Sequence, residues 1–160
     1  METKIKINIV KKVSEAKTFV DFFIANTTPV YISYGELQCK RAKSPTEWSD
    51  NLYKVLLSEF KSAIKSTKYS LIKVELGSEI IAMALINFDK DYAILEDGIV
   101  KQEYRSKGVG KEMLNYVEAY LKKKGIKKIF LESGIFNMKA HNFFEVNGYK
   151  VVSKVFYKKL

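Results

Sequence analysis

The sequence predicts a single mixed α/β domain with elements in the order β-α-α-β-β-β-α-β-α-β, and three observations carry that prediction. Apolar periodicity switches repeatedly between two residues and three to four, so strand-like and helix-like stretches alternate along the chain. The 160 residues, 47% hydrophobic and 29% charged, suffice for one core, because a chain of this length buries roughly two-thirds of its unfolded surface. No repeat or low-complexity run divides it, and eight Gly and two Pro leave little material for a linker.

Ile5, Ile7 and Ile9 alternate with Lys6 and Asn8 and predict a first strand at about 4–11. Ser14 suits the N-cap of a helix carrying Phe19, Val20, Phe23 and Ile24, and Thr27-Thr28-Pro29 ends it. Residues 29–43 read as a functional loop rich in aromatic and charged side chains. Ser44-Pro45-Thr46-Glu47 matches a capping box with proline at the first helical position, predicting a helix that runs through Trp48, Leu52, Leu56 and Phe60 to about residue 66. Tyr69–Leu76 and Glu79–Phe88 flank Gly77-Ser78 as a hairpin, and a third strand follows Asp89-Lys90-Asp91 from about Tyr92 to Val100. Helical spacing returns from Gly108 and stops at Gly125. A short strand at 127–132, a helix at 138–146 closed by Asn147-Gly148, and a β-rich segment at 149–157 complete the order.

Composition excludes several classes of function. One cysteine, Cys39, allows no internal disulfide, and one histidine, His141, leaves the usual transition-metal clusters without ligands, so no metal is expected. No apolar run approaches the ~18 residues of a membrane span, and the first residues lack a signal-peptide core, which predicts a cytoplasmic protein without a membrane partner. The net charge of +10 is uneven. Residues 1–100 are nearly balanced at +1, whereas residues 101–160 carry +9, which suggests a polyanionic ligand toward that end. Only Arg41 and Arg105 are arginine among 28 basic residues. Since a guanidinium fork offers planar, bidentate binding that an ammonium lacks, Arg105 draws notice. Nucleic acid is not the expected partner, because no aromatic-basic motif or helix-turn-helix pattern accompanies the charge.

The most informative stretch, Val100 to Met113, takes a strand through a basic glycine loop into a helix. The first amides of a helix have no intrahelical acceptor, the helix dipole adds positive potential, and glycine lets an anion approach the backbone. Arg105, Lys107 and Lys111 add charge at the same point. The loop is not a P-loop, since Arg105 stands where the first glycine is needed and Glu112 where Ser or Thr is needed; nor is it a dinucleotide fingerprint, since Met113 replaces the third glycine. Arg105-Ser106-Lys107-Gly108-Val109-Gly110 resembles the pyrophosphate loop Arg/Gln-x-x-Gly-x-Gly/Ala of the GNAT superfamily of acyl-CoA-dependent N-acetyltransferases. The segment Asn137-Met138-Lys139-Ala140-His141-Asn142-Phe143-Phe144-Glu145-Val146-Asn147-Gly148-Tyr149 is similar to that family's Asn-x-x-Ala-x-x-Phe/Leu-Tyr-Glu-x-x-Gly-Phe/Tyr.

The resemblance is clear over about 92–150. It implies one N-acetyltransferase domain over 1–160, with a mostly antiparallel, splayed central sheet flanked by helices. It implies acetyl-CoA as cofactor, gripped by the backbone of Arg105, Ser106, Lys107, Gly108, Val109 and Gly110, with Lys111 beside it and pantetheine running along Ile99, Val100 and Lys101. Asn137 matches a CoA-contacting asparagine, and Phe144 belongs to the same cofactor-binding set. An amide near Val100 would meet the thioester carbonyl, an oxyanion donor in physical terms. A homodimer is the assembly such a protein would form.

Acetyl transfer needs a neutral amine, and an alkylammonium with a pKa of ~10.4 must first lose a proton. Glu96, four residues before Val100 and on the same face by the two-residue period, is the candidate base. Asp97 falls on the opposite face unless a bulge intervenes. Phe144 stands where many family members carry the tyrosine that reprotonates the CoA thiolate. Tyr149, a loop tyrosine such as Tyr31 or Tyr34, or water is left for that task, and a non-catalytic acyl-CoA sensor or scaffold is the alternative reading. The acceptor, a small-molecule or peptide amine, is expected to meet Tyr31, Tyr34 and Glu36.

Overall fold

The computed structural model describes residues 4–160. Contacts divide the chain into two compact units. The first holds residues up to Asn26 together with Leu56–Leu131. It is built on a five-stranded sheet in the order β1-β4-β5-β6-β7, comprising β1 (Ile5–Ile9), β4 (Tyr69–Leu76), β5 (Glu79–Phe88), β6 (Tyr92–Val100) and β7 (Lys128–Leu131). Every neighbouring pair is antiparallel except β6 with β7, which is parallel. Ile81–Ile86 in the central strand β5 is buried without interruption, as expected of a strand covered on both faces.

Helix α1 (Ala16–Asn26) buries Ala16, Phe19, Val20 and Phe23, the recurrence that the sequence predicts. The Phe23 ring meets Phe60 with centroids 6.5 Å apart; Phe60 belongs to α3 (Leu52–Lys65). Helix α4 (Val109–Lys123) buries Val109, Met113, Leu114, Val117 and Leu121. Its Tyr120 hydroxyl shares a hydrogen bond with Ser70 Oγ at 2.9 Å, and its ring packs edge-on against Phe88. Ser70 pairs with Ile86, so α4 covers the sheet face to which Ser70, Ile86 and Phe88 point.

The second unit holds Thr27–Val55 and Glu132 onward. It contains α2 (Tyr34–Gln38), a two-stranded ribbon of β2 (Ala42–Ser44) and β3 (Glu47–Trp48), and α5 (Met138–Val146).

The mixed, mostly antiparallel architecture predicted above is observed, with four corrections. The stretch 29–43 is structured, with a 3-10 turn at Pro29–Tyr31 and then α2. The capping box assigned to Ser44–Glu47 is not used. Ser44 Oγ accepts from the Thr46 amide instead, and the chain doubles back as a β-ribbon before α3 begins at Leu52; serine side chains offer the backbone this local alternative to a helix start. The box forms at Ser33-Tyr34-Gly35-Glu36, with both reciprocal bonds in place. Ser14, likewise, lies inside a 3-10 turn rather than capping α1. Finally, residues 149–157 form no strand, and Val151, Val152, Val155 and Phe156 are exposed. The alternation there is a side-chain pattern, whereas a strand exists only through a ladder partner, and no described strand pairs with it.

Candidate functional site

The site begins where β6 loses its partner. Parallel pairing with β7 spans only Tyr92 to Leu95 on β6, so beyond Leu95 that edge is open. The Lys101 amide donates to Ile81 O at 2.8 Å, toward β5. Because the polar groups of successive residues alternate between the two edges of a strand, Ile99 and Lys101 spend theirs on β5, and Val100 and Gly98 direct theirs to the open edge. Of the three strand residues expected to line the cofactor, only Val100 offers its amide there. Gly98 shares the edge and was not anticipated. The Ile99 side chain is buried, and Lys101 Nζ is held by Glu79 and lies 3.6 Å from Glu103.

The loop that follows is shaped by backbone conformation. A 3-10 turn at Gln102–Tyr104 leads into Ser106 at φ 60° and Gly108 at φ 85°. Both lie in the left-handed region, which costs serine but not glycine. Val109 is buried and anchors the start of α4, whose first helical bond is Glu112 N to Gly108 O. That bond leaves the amides of Val109, Gly110 and Lys111, the first three of α4, without an intrahelical acceptor. A Cβ built on Gly108 would touch nothing within 4 Å, so the space over the loop is open. Open amides at a helix start, with Lys107 and Lys111 beside them, suit a diphosphate.

Arg105 corrects a prediction. Its guanidinium is turned onto the protein: Nε donates to Val100 O at 2.9 Å and Nη2 to Asn26 O at 2.6 Å. It braces the strand end against α1.

Glu96 sits in a bulge. Leu95 pairs with Ile86 and Asp97 with Leu85, so Glu96 is the extra residue between two consecutive partners. An extra residue shifts the two-residue period, and the face that Glu96 was expected to share with Val100 is lost. Val100 pairs with Ala82, whereas Glu96 Oε1 accepts from Asn87 Nδ2 at 3.2 Å, and Asn87 belongs to the other face of β5. Burial first, and then the carboxylates of Glu96 and Glu59, raise the Tyr69 hydroxyl above its ordinary pKa. Asp97 is fully buried. An open hollow of about 680 Å³, lined in part by Tyr69, Asn87 and Tyr92, adjoins these residues but contains none of the predicted site residues.

In the second unit, Tyr31 and Trp48 rings lie 6.4 Å apart and Tyr34 is exposed. Glu36 does not present a free carboxylate as expected. It is buried, Oε2 accepts from Ser33 N at 2.7 Å and Ser33 Oγ at 2.6 Å, and Oε1 lies 3.7 Å from the buried Arg41. Glu132, which the sequence reading places at the end of the 127–132 strand without a site role, accepts from Gly35 N at 3.1 Å, and Ser33 Oγ lies at the same distance. Its only sequence signal is its place just beyond a strand. Asn137 caps α5 by accepting from Ala140 N. His141 Nε2 bonds Gly134 O at 2.9 Å. The Phe144 ring lies between Phe143 and Tyr149, with centroids at 5.2 and 5.4 Å. Among the described residues no acidic, His or Cys cluster is suited to hold a metal, and no helix is long and apolar enough to cross a membrane.

Comparison with known proteins agrees with this geometry. Among solved structures, AAC(6')-Iy, an aminoglycoside N-acetyltransferase in complex with CoA, superposes with a TM-score of 0.71 at 14% identity, over 98% of this chain and 95% of that one. The PaiA N-acetyltransferase from Thermoplasma acidophilum in complex with coenzyme A gives 0.71 at 21% identity, over 94% and 93%. A transcriptional regulator from Bacillus halodurans C-125 gives 0.70 at 17% identity, over 98% and 100%. At these identities the likeness is one of fold. No curated protein matches the sequence. The model of the acetyltransferase (GNAT) family matches residues 35–149, most of the chain, including the open edge of β6, the glycine loop and α5: this chain belongs to the GNAT acetyltransferase family.

Proposed function

We propose that this protein is an acetyl-CoA-dependent N-acetyltransferase that acetylates a primary amine by direct attack. One observation carries the reading: the open-edge Val100 leads through the glycine loop to the amides of Val109 to Lys111, which precede the first helical bond of α4. Acetyl-CoA, when bound, supplies a thioester-activated acetyl group. The loop amides hold its diphosphate, with Lys107 and Lys111 neutralising charge. The Val100 N–H donates to the carbonyl oxygen as negative charge develops there, a contact that strengthens only in the transition state. Family membership and the CoA held by two of the structural neighbours support this use of the loop, and the resemblance adds Asn137 and Phe144.

Glu96 remains the proposed base for the ammonium proton and, because the bulge turns it away from the face of Val100, acts through water. Tyr149, packed on Phe144, returns a proton to the thiolate. Tyr31 and Tyr34 form the aromatic wall of the acceptor site, and the likeness to an aminoglycoside N-acetyltransferase favours a cationic amine. The first panel is therefore aminoglycosides, polyamines and lysine-like amines. The test is thiol release from acetyl-CoA over that panel. Turnover with at least one class, lost in Glu96→Gln at neutral pH and partly recovered at alkaline pH, is the expected result. The phenylalanine at position 144 favours one second reading, an acyl-CoA sensor, and tight binding without thiol release from any amine would establish it.

A further inference from the structure

Asn26, the last residue of α1, sits at a junction that the mechanism above does not use. Its backbone carbonyl receives Arg105 Nη2 at 2.6 Å, and its side-chain Oδ1 receives the Gln102 amide at 3.2 Å. Its Nδ2 donates back to Phe22 O at 2.8 Å, fixing the amide plane against its own helix. Arg105 uses its remaining contact on Val100 O. The chain from Val100 to Arg105 is thus fastened to the end of α1 at two points. A cation at a helix C-terminus is also favoured by the dipole and satisfies a carbonyl that lacks an intrahelical donor.

We propose that Asn26 is a positioning residue that, through Gln102 and Arg105, fixes the Val100–Lys101 peptide and so steadies the end of β6, where the adjoining Ile99–Val100 peptide carries the Val100 N–H. Lys101 N bonded to Ile81 O holds this peptide from the β5 side. Arg105 holds its carbonyl from the other; the Asn26 backbone carbonyl holds Arg105, and the Asn26 side chain, which the variants below change, holds Gln102. A donor aimed before the reaction loses nothing to reorganisation when charge appears. The catalytic part of this inference rests on the acetyltransferase reading; the structural part does not.

The experiment compares wild type, Asn26→Ala and Asn26→Asp. Aspartate keeps the oxygen that accepts from Gln102, whereas alanine removes it. Amide exchange of Gln102 and Val100, followed by NMR in the protein without added ligand, should accelerate about tenfold at Gln102 in Asn26→Ala and shift the Val100 resonance, with both largely restored in Asn26→Asp. With acetyl-CoA and an accepted amine, Asn26→Ala should lower kcat about tenfold and leave the acetyl-CoA Kd within about twofold. Asn26→Asp should recover most of kcat. Unchanged Gln102 and Val100 amides in Asn26→Ala would overturn the proposal, as would a full kcat despite altered amides, or a loss of kcat matched by an equal loss of cofactor affinity. If wild type turns over no amine while the amide response is seen, the acetyltransferase reading fails and the structural clamp stands.

Discussion

Residues 92–125 and residues 27–51 make opposite use of their side chains. In the first region the features that suit the proposed cofactor belong to the backbone: an open strand edge, a left-handed glycine at 108, and the first amides of a helix. In the second, charged and polar side chains that look poised for a ligand are mostly occupied with each other. Glu36, Ser33 and Arg41 form a buried cap and ion pair, and Glu132 joins the same group. Charged residues in a loop do not make a binding surface by their presence alone, and a buried carboxylate beside an arginine is first a structural debt to be satisfied.

Variants can break or sharpen this contrast. The largest effect is expected at Gly108. A side chain there is strained at φ 85° and projects into the open space over the amides, so Gly108→Glu should weaken acetyl-CoA binding by on the order of a thousandfold, whereas Lys123→Glu at the far end of α4 should change it less than about twofold. Calorimetric titration reads both, and similar losses would show that the loop acts only through net charge. Next is Glu36→Ala, which leaves Arg41 buried without this partner and removes a helix cap. It should cost about 3 kcal/mol in a denaturant titration, and a loss much below this would return Glu36 to the acceptor site. Gly134→Ala should cost about 2 kcal/mol, because a Cβ there would lie 2.4 Å from Val30 O and 2.5 Å from Ile32 O.

The smallest effect belongs to Glu79, whose carboxyl is held below its usual pKa by Lys101 and then Tyr104. A lowered folded pKa adds stability that is present above the unfolded value and lost as pH falls through the folded one. Thermal midpoints of wild type and Glu79→Gln should therefore differ slightly at neutral pH and converge below pH ~4. A gap that widens on acidification would contradict this sign.

The parts that were legible in sequence are those set by local rules. The hairpin around Gly77-Ser78, the helix from Gly108 to Gly125 and the bounds of α5 follow from period and glycine placement. The rest depended on partners distant in sequence. Ser33–Glu36 and Ser44–Glu47 carry the same Ser-x-x-Glu spacing, and only the first has Arg41 and Glu132 to complete it. The bulge at Glu96 arises from the register with β5, which no periodicity within 92–100 reveals. Arg105 was conspicuous by its rarity, but its partners Asn26 and Val100 are visible only once the chain is folded.

Thermal unfolding with and without acetyl-CoA at moderate salt, with ATP and a short DNA duplex as polyanion controls, tests the central claim most directly. A ligand that binds only the native state raises the midpoint according to its occupancy. The account predicts a shift selective for acetyl-CoA that disappears in Gly108→Glu. No shift, or an equal shift with all three polyanions, would mean that the loop is a basic surface and would contradict the cofactor site.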